Sequence, residues 1–327
     1  VSVTEKSPAS RVVVLYTTCS NQKGEQVLTG TATVIAPARS IEWPATPPST
    51  PPTAHHDRYD AFVRQARELP MVRAAIVHPC SPEAILAAFE VREKGLFEPV
   101  LVGPEARIRA AADAAEVDLD GIAIEQALHS HAAAARAVEL VVSGEVAVLV
   151  KGSLHTDELL GAIVAPGSLL KTERRISHVF ALDVPAYGKP LIVTDAAINI
   201  QPTLDHKRDI CQNAVDLLRT HAHRSEERFC RLGTLGVDKP RVAVLAAVDT
   251  VNAKMPATLD AAALTVMAAR GQIAGALVDG PLAFDNAISI AAARTKGIVS
   301  DVAGEADILL VPDLEAGNML AKQLIYL

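Results

Sequence analysis

Aromatic side chains are scarce in this chain. Phe, Tyr and Trp make up 3% of 327 residues, with a single Trp, although half of all residues are apolar. A core poor in large rings and rich in alanine suits helices packed closely on a sheet and speaks against a β-sandwich. Cysteine is sparse too: Cys19, Cys80, Cys211 and Cys230 lie far apart and form no CxxC pair. That spacing excludes a zinc-cysteine cluster or a disulfide framework and leaves a reduced cytoplasm as the expected compartment. Positive charge is in the minority, with 31 Lys and Arg against 38 Asp and Glu, a net charge of −7. With no basic stripe to displace counterions, a nucleic-acid partner is excluded. Apolar runs such as RVAVLAAVDTV are strand-length and broken by charge, and the opening VSVTEKSP has no signal-peptide layout. No membrane segment is expected.

Several fingerprints are also missing. The chain has no GxGxxG followed by an acidic residue and no GxxxxGK[ST] loop, which removes the usual nicotinamide and P-loop readings. It has no GxSxG nucleophile turn. His129 with His131, and His221 with His223, are spaced by two. On a helix that spacing does not place two ligands on one face, so no metal site is assigned.

What is present begins with two β-branched runs in Arg11 to Pro37, turned around Asn21 to Gly24, a predicted β-hairpin. IEWPATPPSTPP (Ile41 to Pro52) is too proline-dense for helix or central strand and reads as an extended linker. From His55 onward short apolar runs alternate with helical patterns. Strands are predicted at Ala74 to His78, Val100 to Val102 and Val146 to Val150, then at Leu191 to Thr194, Val242 to Ala246, Ala276 to Asp279 and Ile308 to Val311. The alternation is that of parallel sheets with covering helices, an α/β fold. PAYGKP (Pro185 to Pro190) has the Pro and Gly density of a hinge. The expected organisation is a strand segment at 1–40, a linker at 41–57, one lobe at 58–186 and a second at 187–327, with a cleft between the lobes.

The candidate chemistry sits in turns that follow the strands, where amides and helix N-termini of an open α/β sheet converge on ligands. VKGSLHT offers Gly152, whose missing side chain lets a backbone approach closely, with Ser153 and Thr156 as hydroxyl donors. KTERRISHVF offers Arg174 and Arg175, planar forks suited to phosphate oxygens, and Ser177. TDAAIN offers Asp195 and Asn199, and TVNAKMP offers Asn252, Lys254 and Met255. VDGPLAFD supplies Asp279 and Asp285, and VPDLEAGN supplies Asp313 and Asn318. Each has a plain alternative as a cap, a core filler or a solvated surface group.

Taken together, VKGSLHTDELL, KTERRISHVF, TDAAINIQPTLDHKRDI and the three later turns resemble the phosphate acetyltransferase and phosphate butyryltransferase family. The resemblance runs from about Arg58 to the last residue. It is strongest to two-part proteins that join a MaoC-like enoyl-CoA hydratase domain to a phosphate acyltransferase. VDGPLAFDNAIS and RRISHV look nearer the butyryl branch. The resemblance implies a two-lobed fold like that of isocitrate and isopropylmalate dehydrogenases, preceded by a hairpin remnant of a hotdog domain. It implies reversible acyl transfer between coenzyme A and inorganic phosphate by direct attack in a ternary complex. Acyl-CoA, acyl phosphate and phosphate would be the ligands, with no tightly bound cofactor, and a homodimer is expected. In the family a C-terminal return segment carries a Ser and Arg pair and an Asp that contribute to catalysis. That segment is expected beyond Leu327, so no catalytic residue is assigned. The competing readings are a metal- and nicotinamide-dependent decarboxylating dehydrogenase and a catalytically incomplete acyl-CoA-binding or subunit-interaction protein.

Overall fold

The computed structural model describes residues 1–7, 10–21, 23–36, 57–219 and 237–326. The proline-rich segment Ile41 to Pro52, the His221 and His223 pair and Cys230 lie outside them. The chain divides into two compact units, Val1–Thr53 and Ala54–Leu327.

In the first unit β1 (Ser2–Ser7), β2 (Val12–Ser20) and β3 (Gln26–Ile35) form an antiparallel sheet in that order. The predicted hairpin is its β2–β3 half. At the turn Asn21 Oδ1 accepts from the amides of Lys23 and Glu25, and Gly24 takes φ +81°, a left-handed conformation open to glycine without strain. The third strand, SVTEKS, has no apolar alternation to announce it. Every residue of β1 and β3 is exposed.

The second unit opens with α1 (Asp57–Arg67), β4 (Val72–Val77), α2 (Pro82–Glu93), β5 (Phe97–Gly103), α3 (Glu105–Ala114), β6 (Ala123–Gln126), α4 (Ser130–Val142), β7 (Val148–Lys151) and α5 (Thr156–Val164). Its four strands pair in parallel in the order β6-β5-β4-β7. β4 and β5 are apolar on both faces: Ala75, Val77, Val100 and Val102 enter one core cluster, while Ala74, Ile76 and Leu101 enter another. α4 meets the sheet through Ala133, Ala134 and Ala137, all fully buried, and small side chains let its backbone lie close to the strands.

There follow β8 (Phe180–Leu182), β9 (Leu191–Thr194), α6 (Leu204–Leu218), β10 (Arg241–Leu245), α7 (Pro256–Ala269), β11 (Leu277–Leu282), α8 (Phe284–Ile288), α9 (Ile290–Thr295), β12 (Ile308–Leu310) and α10 (Leu314–Tyr326). The sheet order is β11-β10-β12-β9-β8. β9 to β12 are mutually parallel and β8 alone is antiparallel. Alternation splits the strand residues between two cores. Leu191, Val193, Ala243, Leu245 and Leu309 pack on one side; Ile192, Val242, Val244, Ile308 and Leu310 pack on the other. Each buried Leu or Ile contributes roughly 1.5–3 kcal/mol. Pro281 is confined to β11, an edge strand that tolerates a missing donor.

The turn read as a hinge is a pinned link within this second sheet. Tyr187 is buried and donates its hydroxyl to Ala306 O at 2.7 Å, and Lys189 pairs with Asp307 at 2.6 Å. Burial pushes the Tyr187 phenol up to about 12. β8 starts at Phe180, so the second sheet begins upstream of residue 187. Among the described residues no helix is long and apolar enough to cross a membrane.

Candidate active site

Because β9, β10, β12 and β11 run in parallel as neighbours, the turns that follow them share one edge of the second sheet. The antiparallel edge strand adds a fifth contribution. Phe180 of β8 pairs with Val193 near the end of β9, so residues just before β8 arrive at the same edge as TDAAIN. Topology thus joins RRISH to TDAAIN across the sequence.

Asp195 is 3% exposed, and its carboxylate is fully engaged. Oδ1 accepts from the amides of Ala197 and Ile198, each at 3.0 Å, and Oδ2 from the Asn199 amide at 3.2 Å and side-chain Nδ2 at 2.5 Å. A buried carboxylate is tolerable when it is satisfied in this way. Asn199, equally buried, also donates Nδ2 to Ile176 O at 3.0 Å, while its Oδ1 accepts from Arg175 Nε at 2.7 Å. The three side chains form a relay from carboxylate to amide to guanidinium. The two Nη groups of Arg175 have no partner among the described residues. Asp195 and Asn199 are therefore committed to the protein, and what they present outward is the arginine.

α6 holds the arginine segment from below. Its core face is Ile210, Cys211, Ala214, Val215 and Leu218; Asp209, Asn213 and Asp216, at spacings of four and three, line a second face. Asp209 accepts from the Arg175 amide at 3.1 Å, and Asn213 Nδ2 donates to Arg175 O at 2.8 Å and to Ser177 Oγ at 2.9 Å. Asp216 takes the Arg174 guanidinium in an exposed pair at 2.5 Å. Burial opposes the charge of Asp209, but the Arg175 amide and the Arg208 guanidinium outweigh it and hold the carboxyl below its usual range. The two arginines lie in coil before β8, not in a strand, and diverge because α6 captures Arg174 while Asn199 captures Arg175.

His178, which the sequence reading passed over, stands at the same edge. Its carbonyl accepts from Thr194 Oγ1 at 2.7 Å, and its ring meets Phe180 edge-on with centroids 4.4 Å apart. Burial lowers the His178 pKa against the raising influence of Asp195.

The remaining turns divide into groups used internally and groups left open. Asn252 Oδ1 accepts from the Lys254 amide at 2.9 Å, and the fully buried Thr258 hydroxyl bonds both the Asn252 amide and carbonyl. Lys254 is exposed, with no partner among the described residues. Met255 is half-buried as the residue capping α7. Asp279 lies inside β11, where its Oδ1 accepts from the next amide, that of Gly280, at 2.8 Å. Asp285 is exposed on α8, 4.0 Å from Lys296. Asp313 caps α10 by accepting from the Ala316 amide at 2.9 Å, and Asn318 donates to Ala196 O at 3.0 Å. A Cβ on Gly317 would fall 2.6 Å from Val311 Cγ2 and 3.0 Å from Asp195 O, so only glycine lets α10 seat on the TDAAIN turn.

At the corresponding edge of the first sheet, Gly152 approaches protein rather than leaving room for a ligand. A Cβ there would lie 2.5 Å from Val77 O, and the amides of Gly152 and Ser153 donate to Val77 O and His78 O, each at 2.9 Å. Thr156 is the first, exposed residue of α5; the cap is His155, whose amide donates to Glu158 at 3.0 Å. His131 contacts the same carboxylate at 3.1 Å, and His129 Nδ1 caps α4. Among the described residues no hydrogen bond or ion pair joins the first-sheet candidates to those of the second sheet.

The fold is α/β, and the turns at the edge of its second sheet gather an exposed guanidinium, Arg175, and an exposed ammonium, Lys254. The chain belongs to the phosphate acetyl/butaryl transferase family, whose model matches residues 130–327. It is 52% identical to a phosphate acetyltransferase of Rickettsia prowazekii over 80% of this chain and 71% of that protein. It is 51% identical to the phosphate acetyltransferase of Rhizobium meliloti over 87% and 83%. Among solved structures, a branched-chain phosphotransacylase from Enterococcus faecalis V583 matches with a TM-score of 0.65 and 28% identity, covering 78% of this chain and 84% of that one. The chain is an acyltransferase, which displaces the dehydrogenase and non-enzymatic alternatives.

Proposed function

We propose that this enzyme transfers an acyl group reversibly between coenzyme A and inorganic phosphate, by direct attack in a ternary complex and without a tightly bound cofactor. The observation that carries the reading is Arg175, fixed at Nε by Asn199 and open at both Nη groups. A guanidinium so held offers a planar pair of donors to phosphate oxygens. Lys254 supplies a second cation on the same edge. In the direction that makes the thioester, the thiol sulfur attacks the acyl phosphate carbonyl. The S–C bond forms, the C–O bond to phosphate breaks, and the thiol proton passes to a base. Arg175 stabilises the charge that gathers on the departing phosphate, while donors near the carbonyl oxygen would stabilise the tetrahedral oxyanion.

Acetyl is the favoured acyl group, because both relatives named above, at 52% and 51% identity, are phosphate acetyltransferases. Of the remaining sequence candidates, Ser153 follows β7, Thr156 opens α5, Ser177 precedes β8 and Met255 caps α7, places where substrate contacts would fall. Asn199 acts through the Arg175 guanidinium, and Gly152, Asp195, Asn252, Asp279, Asp313 and Asn318 act through the backbone they contact. We extend the reading to a cytoplasmic, paired enzyme of two lobes, with the boundary moved upstream of β8 from the expected 186/187. The separate antiparallel unit at the N-terminus is compatible with a MaoC-like segment. The test is thioester formation from acetyl phosphate and CoA, with butyryl phosphate in parallel. Turnover with acetyl phosphate at the higher kcat/KM supports the proposal, and CoA binding without turnover of either acyl phosphate refutes it.

A further inference from the structure

Asp249, in the turn after β10, is clamped from two sides. Its Oδ2 accepts from Asn286 Nδ2 of α8 at 3.0 Å and lies 3.0 Å from Lys296 Nζ at the end of α9. The pairing with Lys296 and the amide of Asn286 hold the Asp249 carboxyl below its usual range. Asp285 is the other charged group facing Lys296, at 4.0 Å.

The cluster is poorly built as a stabilising device. Lys296 is 43% exposed, so its ion pair is screened by solvent. Asn286 is fully buried, yet its Oδ1 has no hydrogen-bond partner among the described residues. A buried acceptor without a protein partner disfavours folding. Groups that break the local rules in this way are expected where function requires them.

What the clamp fixes is the start of the loop Asp249 to Met255. The far end is fixed separately, by Thr258 bonding the Asn252 amide and carbonyl and by the Asn252 side chain holding the Lys254 amide. Lys254 lies just beyond the second anchor, two residues past Asn252.

We propose that Asp249, gripped by Asn286 and Lys296, is a positioning residue that holds the 249–255 loop so that Lys254 meets a phosphate group of the substrate. This rests on the acyltransferase reading above, since it assigns Lys254 an anionic ligand. Lys296 and Asn286 act through Asp249 and touch no substrate.

The test uses Asn286→Leu, Lys296→Met and Lys296→Arg in the full chain, with three measurements. Hydrogen exchange of the 249–255 amides reads the clamp without any activity. It is expected to quicken in Asn286→Leu and Lys296→Met and to return toward wild type in Lys296→Arg. The KM for acetyl phosphate or for CoA is expected to rise about ten-fold in the first two variants, the scale on which supporting contacts are felt, with kcat moved less. The melting temperature of Asn286→Leu is expected to fall, because leucine adds volume at a fully buried site, whereas that of Lys296→Met, whose ion pair is solvent-screened, is expected to hold. Unchanged exchange in both disrupting variants overturns the clamp, and so does a lower melting temperature with both KM values intact. Lys296→Met, on the surface, decides the matter if the leucine variant fails to fold. A wild-type chain with no acyl transfer refutes the functional reading instead, and leaves the exchange result to judge the clamp.

Discussion

Replacing Asp195 by Asn keeps the shape of the relay and removes its logic. In the wild type four donors converge on the carboxylate: the amides of 197, 198 and 199 and Asn199 Nδ2. An asparagine can still serve two or three of them through its one oxygen, but its NH2 then faces a donor. Asn199 can flip to offer Oδ1 to residue 195, and in doing so turns its NH2 toward Arg175 Nε, which is also a donor. One mismatch survives whichever way the amides are set. Losing a hydrogen bond to a charged group and leaving a buried donor unpaired costs about 1.5–3 kcal/mol. That is a substantial share of the roughly 5–15 kcal/mol that stabilises a domain. Much of it should appear at the arginine, because reorienting Asn199 is the cheapest response. Steady-state thioester formation should therefore show kcat/KM for acetyl phosphate falling at least ten-fold, about 1.4 kcal/mol. Adding Asn199→Asp restores an acceptor for both residue 195 and Arg175. The double variant should outperform the product of the single effects, a coupling that a double-mutant cycle measures directly. Additive losses, or a lower melting temperature with unaltered kinetics, would show that Asp195 and Asn199 only shape the turn.

Arg175→Ala should raise the KM for acetyl phosphate and lower kcat, whereas Arg174→Ala, which loses only an exposed pair with Asp216, should change kcat/KM less than three-fold, about 0.6 kcal/mol; initial rates of both variants decide it. Gly317→Ala should destabilise by about 1–3 kcal/mol through the contacts its methyl would make with Val311 and Asp195 O, read as a shift in denaturant midpoint at constant slope. His178 has a folded pKa below its unfolded value of about 6.5, so the unfolded chain binds more protons. Its contribution is intact above the unfolded pKa and declines as pH falls toward the folded one. In His178→Gln the stability difference between pH 7.5 and 5.5 should shrink; an unchanged slope would mean that other groups set it.

The strands themselves were readable in outline because β4, β5, β9, β10 and β12 are short, doubly buried apolar runs bounded by turn residues. β6 (AIEQ) and β8 (FAL) escaped because edge strands this short carry almost no pattern. The gathering of the turns was legible, since parallel strands necessarily end on one edge. The role of each residue was not. Asp195 and Asn199 look like ligands in sequence, but a buried carboxylate spends its lone pairs on amides two to four residues away, which only backbone geometry reveals. Gly152 shows the same thing, since its openness serves the end of β4. One missed signal was present: Asp209, Asn213 and Asp216 repeat at helical spacing opposite a core stripe, marking a face of α6 that must hold something polar.

Three backbone pairs, Phe180 with Val193, Ala181 with Ile192 and Leu182 with Leu191, set where the arginine segment ends. β8 therefore works as a ruler whose zero is Phe180. Length is free to change ahead of Arg174, where additional residues would bulge outward without moving the guanidinium. Between Arg175 and Phe180 each inserted residue would displace it by a full step of the chain, about 3.3 Å. The two sides of one arginine thus live under opposite rules, tolerant of length upstream and intolerant downstream, and homologues that keep this edge should concentrate their insertions on the upstream side.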